Sequence, residues 1–347
     1  MLKPSFRTEH TPLLPHGGQL RKAAAHYGIP LSDWLDLSTG INPNAWPVPT
    51  LPPTIWSRLP EDDDGLEAAA QNYYRAADVL PIAGSQAAIQ TLPRLRAPGR
   101  VATIHPGYAE HAHAWRSAGH SVFKATVSML DEMTQQVDVV VLAHPNNPTG
   151  TRFSHEQLLA WHDRLATRGG WLVVDEAFMD ATPQYSLAAF CSRPGLIVLR
   201  SLGKFFGLAG ARVGFVCAEK EFLNRLHSSI GPWTVAASSR YIATAALLDK
   251  PWQTSMRQRL TADSDRLSKM LDRHGLSPQG GCAMFQWIPT LNAIEVHTRL
   301  ARFGILTRLF EEISSLRFGL PGNDNDWRRL DNALAEINAR EPAEAEA

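Results

Sequence analysis

Cysteine is scarce: Cys191, Cys217 and Cys282 lie far apart and make no CxxC pair. That excludes a disulfide framework and a structural zinc site, and it fits a reducing compartment. Charge of one sign is not in excess either, because Lys plus Arg and Asp plus Glu both number 34. With no net field, nothing draws the chain to nucleic acid or to an anionic membrane. No apolar run reaches membrane-spanning length, and the opening MLKPSFRTEHTPLLPHGG lacks an apolar h-region, so a cytoplasmic location is expected. The last residues, 341–347 (EPAEAEA), are small and acidic and read as a frayed tail. No internal repeat is evident.

Several ligand-binding signatures are missing as well. Asp175-Glu176 after LVV mimics a Walker B strand, but no GxxxxGK[ST] accompanies it, which rules out an ATPase of that type. Gly207, Gly210 and Gly214 do not have dinucleotide-loop spacing. His105, His111, His113, His120 and His144 fit no HExxH-like pattern, so no metal site is expected and they read as scattered surface or core histidines.

What is present is 347 residues, 44% of them hydrophobic, enough for a full core and two domains. Residues 101–105 (VATIH), 121–127, 137–144 (VDVVVLAH), 171–175 (WLVVD), 196–200 and 212–218 read as strands. Several are apolar at consecutive positions, which predicts a largely parallel sheet covered on both faces by helices such as 85–95 and 154–168. The expected class is α/β, a large doubly wound domain over 41–235. A Pro-rich stretch, 42–60, opens it and is expected to wrap the surface or a partner subunit. Helices at 238–248 and 253–274, then short strands near 284–288 and 316–320, predict a smaller α+β domain over 236–340. Residues 1–40 form an N-terminal segment ahead of both.

Four polar features fall at predicted strand ends, where α/β folds place ligands. They are Asn147 in HPNNPTG, Asp175 in LVVDEAF, Ser201 with Lys204 in LRSLGKFF, and Arg212, eight residues after the lysine. Upstream, Gly84-Ser85-Gln86 precedes a helix whose first-turn N–H groups suit a phosphate. A desolvated lysine near Arg212 has a depressed pKa and becomes a nucleophilic amine. A carboxylate on an apolar strand needs a cationic partner, and a pyridinium N–H is one.

The series GSQAAI, PGY, HPNNPTG, VVDEAF and SLGKFFGLAGARVGF resembles fold-type I pyridoxal-phosphate enzymes of the aspartate aminotransferase superfamily, over nearly the whole chain. The resemblance implies pyridoxal 5′-phosphate as cofactor, Lys204 as the lysine that carries it, Asp175 as partner of its ring nitrogen and Asn147 as donor to its phenolic oxygen. It implies Tyr108 stacked on the ring, and Gly84, Ser85, Gln86, Ser201 and Arg212 around the phosphate. Arg317, in LRFGLP, falls where the family binds the substrate α-carboxylate. Within the superfamily, HGGQLRKAAAHYGI followed by LDLSTGINPNAWP is similar to the threonine-phosphate decarboxylases of cobalamin biosynthesis, relatives of the histidinol-phosphate aminotransferases.

That branch implies decarboxylation of L-threonine O-3-phosphate to 1-amino-2-propanol phosphate and CO2 by a homodimer. His16 and Asn42 would line the substrate pocket and Arg308 would lie near the substrate phosphate. Three residues depart from the wider pattern: Phe178 replaces a tyrosine, Gly203 replaces Ser or Thr, and Leu59 replaces a tyrosine that reaches the neighbouring subunit. The same motifs also allow an aminotransferase for a phosphorylated or aromatic amino acid. A regulator on this fold would carry a basic DNA-binding module, which the residues before 41 do not resemble.

Overall fold

The computed structural model describes residues 14–339, so residues 1–13 of the N-terminal segment and the expected tail at 341–347 lie outside the described residues. Helix α1 (Leu20–Tyr27), closed by Gly28 at φ +68°, leads to the short strand β1 (Leu35–Asp36). A Pro-rich stretch with a 3-10 turn at Pro53–Trp56 follows, then helix α2 (Leu66–Tyr74) and strand β2 (Val79–Ile82).

Strands β3 (Arg100–Ile104), β4 (Ser121–Ala125), β5 (Val139–Ala143), β6 (Trp171–Asp175), β7 (Leu196–Ser201) and β8 (Gly214–Cys217) join β2 in one sheet. Its order is β2-β8-β7-β6-β5-β3-β4. All pairs are parallel except the two made by β8, which runs antiparallel to both β7 and β2. Consecutive residues of the central strands enter opposite cores: Val139 and Val141 join one, Val140 and Leu142 the other. This is why those strands read as unbroken apolar runs. Helices α3 (Ser85–Thr91), α4 (Ala109–Ser117), α5 (Leu130–Met133) and α6 (His155–Ala166) connect successive strands from β2 to β6, and α7 (Lys220–Ile230) follows β8. Ser154 caps α6 by accepting from Gln157 N.

Helices α8 (Ala237–Leu248) and α9 (Lys250–Arg273) are separated at Asp249, which caps α9 ahead of Pro251. Beyond them come β9 (Gly280–Cys282), β10 (Phe285–Pro289), α10 (Ala293–Arg302), β11 (Ile305–Leu306), β12 (Arg308–Phe310), β13 (Ser315–Gly319) and α11 (Asp324–Ala339). The second sheet has the order β12-β13-β10-β9 and is antiparallel throughout. β11 pairs in parallel with β1, which ties the N-terminal segment to this smaller unit.

Every strand expected in the large sheet is present, and β2 is an addition. Its short length and Pro81 hid it, and its edge position tolerates a missing N–H. The strand expected at 121–127 ends at the buried Ala125; the rest of this edge strand is largely exposed. The helix expected over 85–95 stops at Thr91 and tightens into a 3-10 turn around Pro93. No helix among the described residues is long and apolar enough to cross a membrane.

Candidate active site

Because β5, β6 and β7 are parallel, the residues that follow them emerge at one end of the sheet. Asn147, Asp175, Ser201 and Lys204 come from there. The reversal into β8 brings Arg212 back to the same end, with Ile82 and Ser201 both in register with Gly214. Bare backbone fills the junction. A Cβ at Gly84 (φ +75°) would sit 2.8 Å from Nη2 of Arg212, and one at Gly214 would sit 2.5 Å from the Ser85 amide nitrogen. Ser201 Oγ accepts from the Gly203 N–H at 3.2 Å. Gly84, Ser85, Ser201 and Arg212 thus form a donor-rich notch at the start of α3.

Lys204 Nζ donates to the Thr39 carbonyl at 3.0 Å and lies 5.2 Å from the centre of the Phe178 ring. Burial of the amine and the nearby Arg317 push its pKa down to about 8, against the pull of Asp175. The residue as a whole is only half-buried.

Asp175 is buried at the end of β6. Its Oδ1 accepts from the Ala177 N–H at 3.0 Å, and its Oδ2 meets Nε2 of His111 at 3.0 Å. Tyr108, at the start of α4, packs edge-on against His111 with centroids 5.8 Å apart. Its phenol is pushed up to about 12 by burial and by Asp175 and Glu110.

Arg317 is buried on β13. Nη1 donates to Asn147 Oδ1 at 2.7 Å and Nη2 to the Ser38 carbonyl at 2.7 Å, while Nε has no partner. The guanidinium can only donate, so Asn147 must turn its oxygen towards it, leaving the amide nitrogen for a ligand. Burial and the neighbouring Arg308 push the Arg317 pKa down to about 10. Arg308 on β12 is the register partner of Arg317, which places two guanidinium groups on one sheet face. Its Nη2 donates to the Pro15 carbonyl at 2.6 Å.

His16 reaches the same region, its ring 6.0 Å from that of Tyr108 and its Nε2 2.7 Å from Glu110 Oε1. Gln86 also turns to Glu110, donating through Nε2 at 2.8 Å, so its side chain is engaged there. Asn42 lies against the lysine loop. It is buried, donates to the Phe205 carbonyl at 2.8 Å, accepts from Asn44 N and bonds through its own N–H to the Lys204 carbonyl. It holds the lysine loop from beneath.

Sequence reasoning missed His111 and Glu110, whose helix AEHAHAWRS carries no signal beyond amphipathic polarity. It also missed Phe285, which stands edge-on to Phe178 at 5.1 Å and under the Arg317 guanidinium at 5.0 Å. Leu59 is exposed.

Residues 61–327 match the family model described as aminotransferase class I and II. A threonine-phosphate decarboxylase from Pseudomonas aeruginosa is 56% identical over 331 residues, covering 95% of this chain and 99% of that one. The chain belongs to the aminotransferase class I and II family, in its threonine-phosphate decarboxylase branch. A second threonine-phosphate decarboxylase, from Sinorhizobium sp, is 40% identical over 93% of this chain and 98% of its own. Among solved structures, histidinol-phosphate aminotransferase from Sinorhizobium meliloti in complex with pyridoxal-5′-phosphate superposes with a TM-score of 0.80 at 19% identity. That match spans 98% of both chains and shows that this chain has the same fold as that aminotransferase.

Proposed function

We propose that this protein decarboxylates L-threonine O-3-phosphate, releasing CO2 and (R)-1-amino-2-propanol O-2-phosphate for cobalamin biosynthesis, with pyridoxal 5′-phosphate as cofactor. The observation that carries this reading is the pair Arg308–Arg317. Like charges in register on adjacent strands repel unless an anion joins them. Arg317 moreover has an unpartnered buried Nε beside a depressed lysine. A ligand with two anionic groups and an amine satisfies all three, and an amino acid phosphate ester is such a ligand.

The residues fit the cofactor. The notch of Gly84, Ser85, Ser201 and Arg212 would hold its phosphate, with Gln86 closing the first turn of α3. Asp175 would face its ring nitrogen, Tyr108 its ring face, Asn147 its phenolic oxygen, and Lys204 would carry it. Bound there, it supplies an electron sink for the bond broken at the substrate α-carbon.

The chain's own residues do the rest. Arg317 grips the α-carboxylate through its outward donors and orients it. Phe178 and Phe285 exclude water from that carboxylate, which favours loss of its charge as CO2. Lys204, near neutrality, returns a proton to the α-carbon as the carboxyl carbon leaves. Arg308 and His16 take the substrate phosphate.

The reading includes a homodimer. Trp56, Leu59, Trp233, Tyr241 and Leu248 are exposed apolar side chains on or near α8 and the 3-10 turn that packs on it. Such a patch suits a second copy of the chain.

Cofactor-loaded protein incubated with O-phospho-L-threonine and no oxo acid is expected to release CO2 catalytically. Absence of CO2, together with amino transfer from histidinol phosphate to 2-oxoglutarate, would assign the site to an aminotransferase instead.

A further inference from the structure

The HGG sequence at 16–18 is far in the chain from every residue given a catalytic role, yet it touches the turn that holds two of them. A Cβ at Gly17 would lie 2.4 Å from the Ser38 carbonyl oxygen and 2.8 Å from its carbon. Only hydrogen fits there. Gly18 (φ +77°) donates its N–H to Ser38 Oγ at 2.7 Å, and that hydroxyl in turn donates to Asp36 at 2.6 Å. The next carbonyls along the turn serve the site. Ser38 O accepts from Arg317 Nη2 at 2.7 Å and Thr39 O accepts from Lys204 Nζ at 3.0 Å. Gly40, at φ +61°, then lets the chain pass between Phe178, Phe285 and Arg317, which its Cβ would approach to 3.3–3.6 Å.

We propose that Gly17 is a positioning residue: it seats the Ser38–Thr39 turn so that two consecutive backbone carbonyls aim the Arg317 guanidinium and the Lys204 amine. This rests on the roles given above to those two side chains. The carbonyls do different work. Ser38 O fixes one arm of the guanidinium, so that the remaining donors face the substrate carboxylate. Thr39 O holds the free amine by one of its hydrogens and leaves the lone pair available. The same glycines connect the reacting end to the phosphate end, because Pro15 O bonds Arg308 and His16 bonds Glu110. A displaced Ser38 carbonyl therefore costs alignment at both cations without removing either.

Two readouts test this, one of which needs no cofactor. In cofactor-free protein, labelling of Lys204 by an amine-directed acylating reagent at pH 8, followed by mass spectrometry, reports how firmly the amine is held. In loaded enzyme, kcat and KM for O-phospho-L-threonine report alignment. Gly17→Ala is expected to raise Lys204 labelling several-fold and to lower kcat on the order of tenfold or more. Ser38→Ala removes the hydroxyl that ties Gly18 to Asp36 but keeps the carbonyl, so it folds readily and moves both readouts the same way by less. Lys22→Ala, at an exposed helical position of α1, should leave both unchanged.

The proposal stands if Gly17→Ala moves both readouts. It is overturned if either stays at the wild-type value, and Ser38→Ala decides by the same criterion should Gly17→Ala not fold. Failure of the parent reading looks different: Lys204→Ala would then keep the bound cofactor's visible absorption.

Discussion

Nε2 of His111 lies 3.0 Å from Oδ2 of Asp175, and both side chains are buried. The other carboxylate oxygen is held by the Ala177 N–H, so the group is oriented from two sides before any ligand arrives. A carboxylate fixed in this way needs no reorganisation to meet a ring nitrogen. His111→Phe keeps a planar ring, somewhat larger than the imidazole, and removes the bond. A hydrogen bond to a charged group contributes about 1.5–3 kcal/mol, so cofactor affinity should fall roughly tenfold to a hundredfold. Equilibrium dialysis of pyridoxal phosphate against the variant measures this directly.

Lys204 gives a pH signature. Its folded pKa is near 8, below the ordinary 10.5. Between those values the unfolded chain binds the proton that the folded chain lacks, so this group's contribution to stability rises with pH across that window. Below pH 8 both states are protonated and the penalty for the buried ammonium is fully present. The rate at which cofactor-free protein captures pyridoxal phosphate should rise with pH to a plateau above about 8. Stopped-flow absorbance over pH 6–10 gives the midpoint. A midpoint near the ordinary lysine value would remove the argument for a desolvated amine. Lys204→Ala should abolish the visible band of the bound cofactor.

The two arginines should separate in substrate analogues. Arg317→Gln removes the donors for the carboxylate and should raise KM for any amino acid ligand by about tenfold to a hundredfold. Arg308→Gln should raise KM for O-phospho-L-threonine by a similar factor, about tenfold or more, and leave binding of unphosphorylated threonine unchanged. Steady-state kinetics and competition binding with the two ligands distinguish them.

Arg200 offers a stability test away from the ligands. It is fully buried and bonds Glu176 and, at 2.5 Å, Asp180, with its guanidinium carbon 4.5 Å from the Tyr74 ring centre. Burial raises the Glu176 pKa even with the arginine present. Arg200→Met would leave two buried carboxylates without their cation and should cost roughly 3–5 kcal/mol. Urea denaturation measures it, and the loss should shrink at acid pH, where the carboxylates take up protons.

Trp56→Asp probes assembly. Trp56 is 69% exposed, an unusual state for so large an apolar side chain. A charge there should shift the protein to monomer in sedimentation velocity while leaving far-ultraviolet circular dichroism unchanged.

The large sheet was legible because its central strands are covered on both faces, which writes Val139–Ala143 and Trp171–Asp175 as plain apolar runs. The polar residues that interrupt such a run at its end, Asp175 and Ser201, stand out for the same reason. What stayed hidden has no local signal. His111 and His113 are alike on the page, and only the position of Asp175 across the site decides that the first is an anchor. β2 carries a proline, and an edge strand of four residues gives too short a pattern. The bonds of the Asn42 amide to the Phe205 carbonyl and the Asn44 N–H were hidden too, because side-chain amides bond as readily to backbone as to ligands. The contact between Gly17 and Ser38 joins two turns, and neither turn reveals its partner.

The single antiparallel strand of the large domain has a consequence for how this chain can vary. β7 and β8 are register partners at Ser201 and Gly214, so the loop between them leaves the sheet and returns to the same place. Lys204 hangs from its outgoing arm and Arg212 from its returning arm, at φ +54°. The loop's length is thus fixed from both ends. Its side chains can drift, as Gly203 illustrates, but an added or deleted residue would slide one of the two cations away from its place beside the strand ends. Insertions in this branch should accumulate elsewhere, at the exposed turns of the smaller sheet.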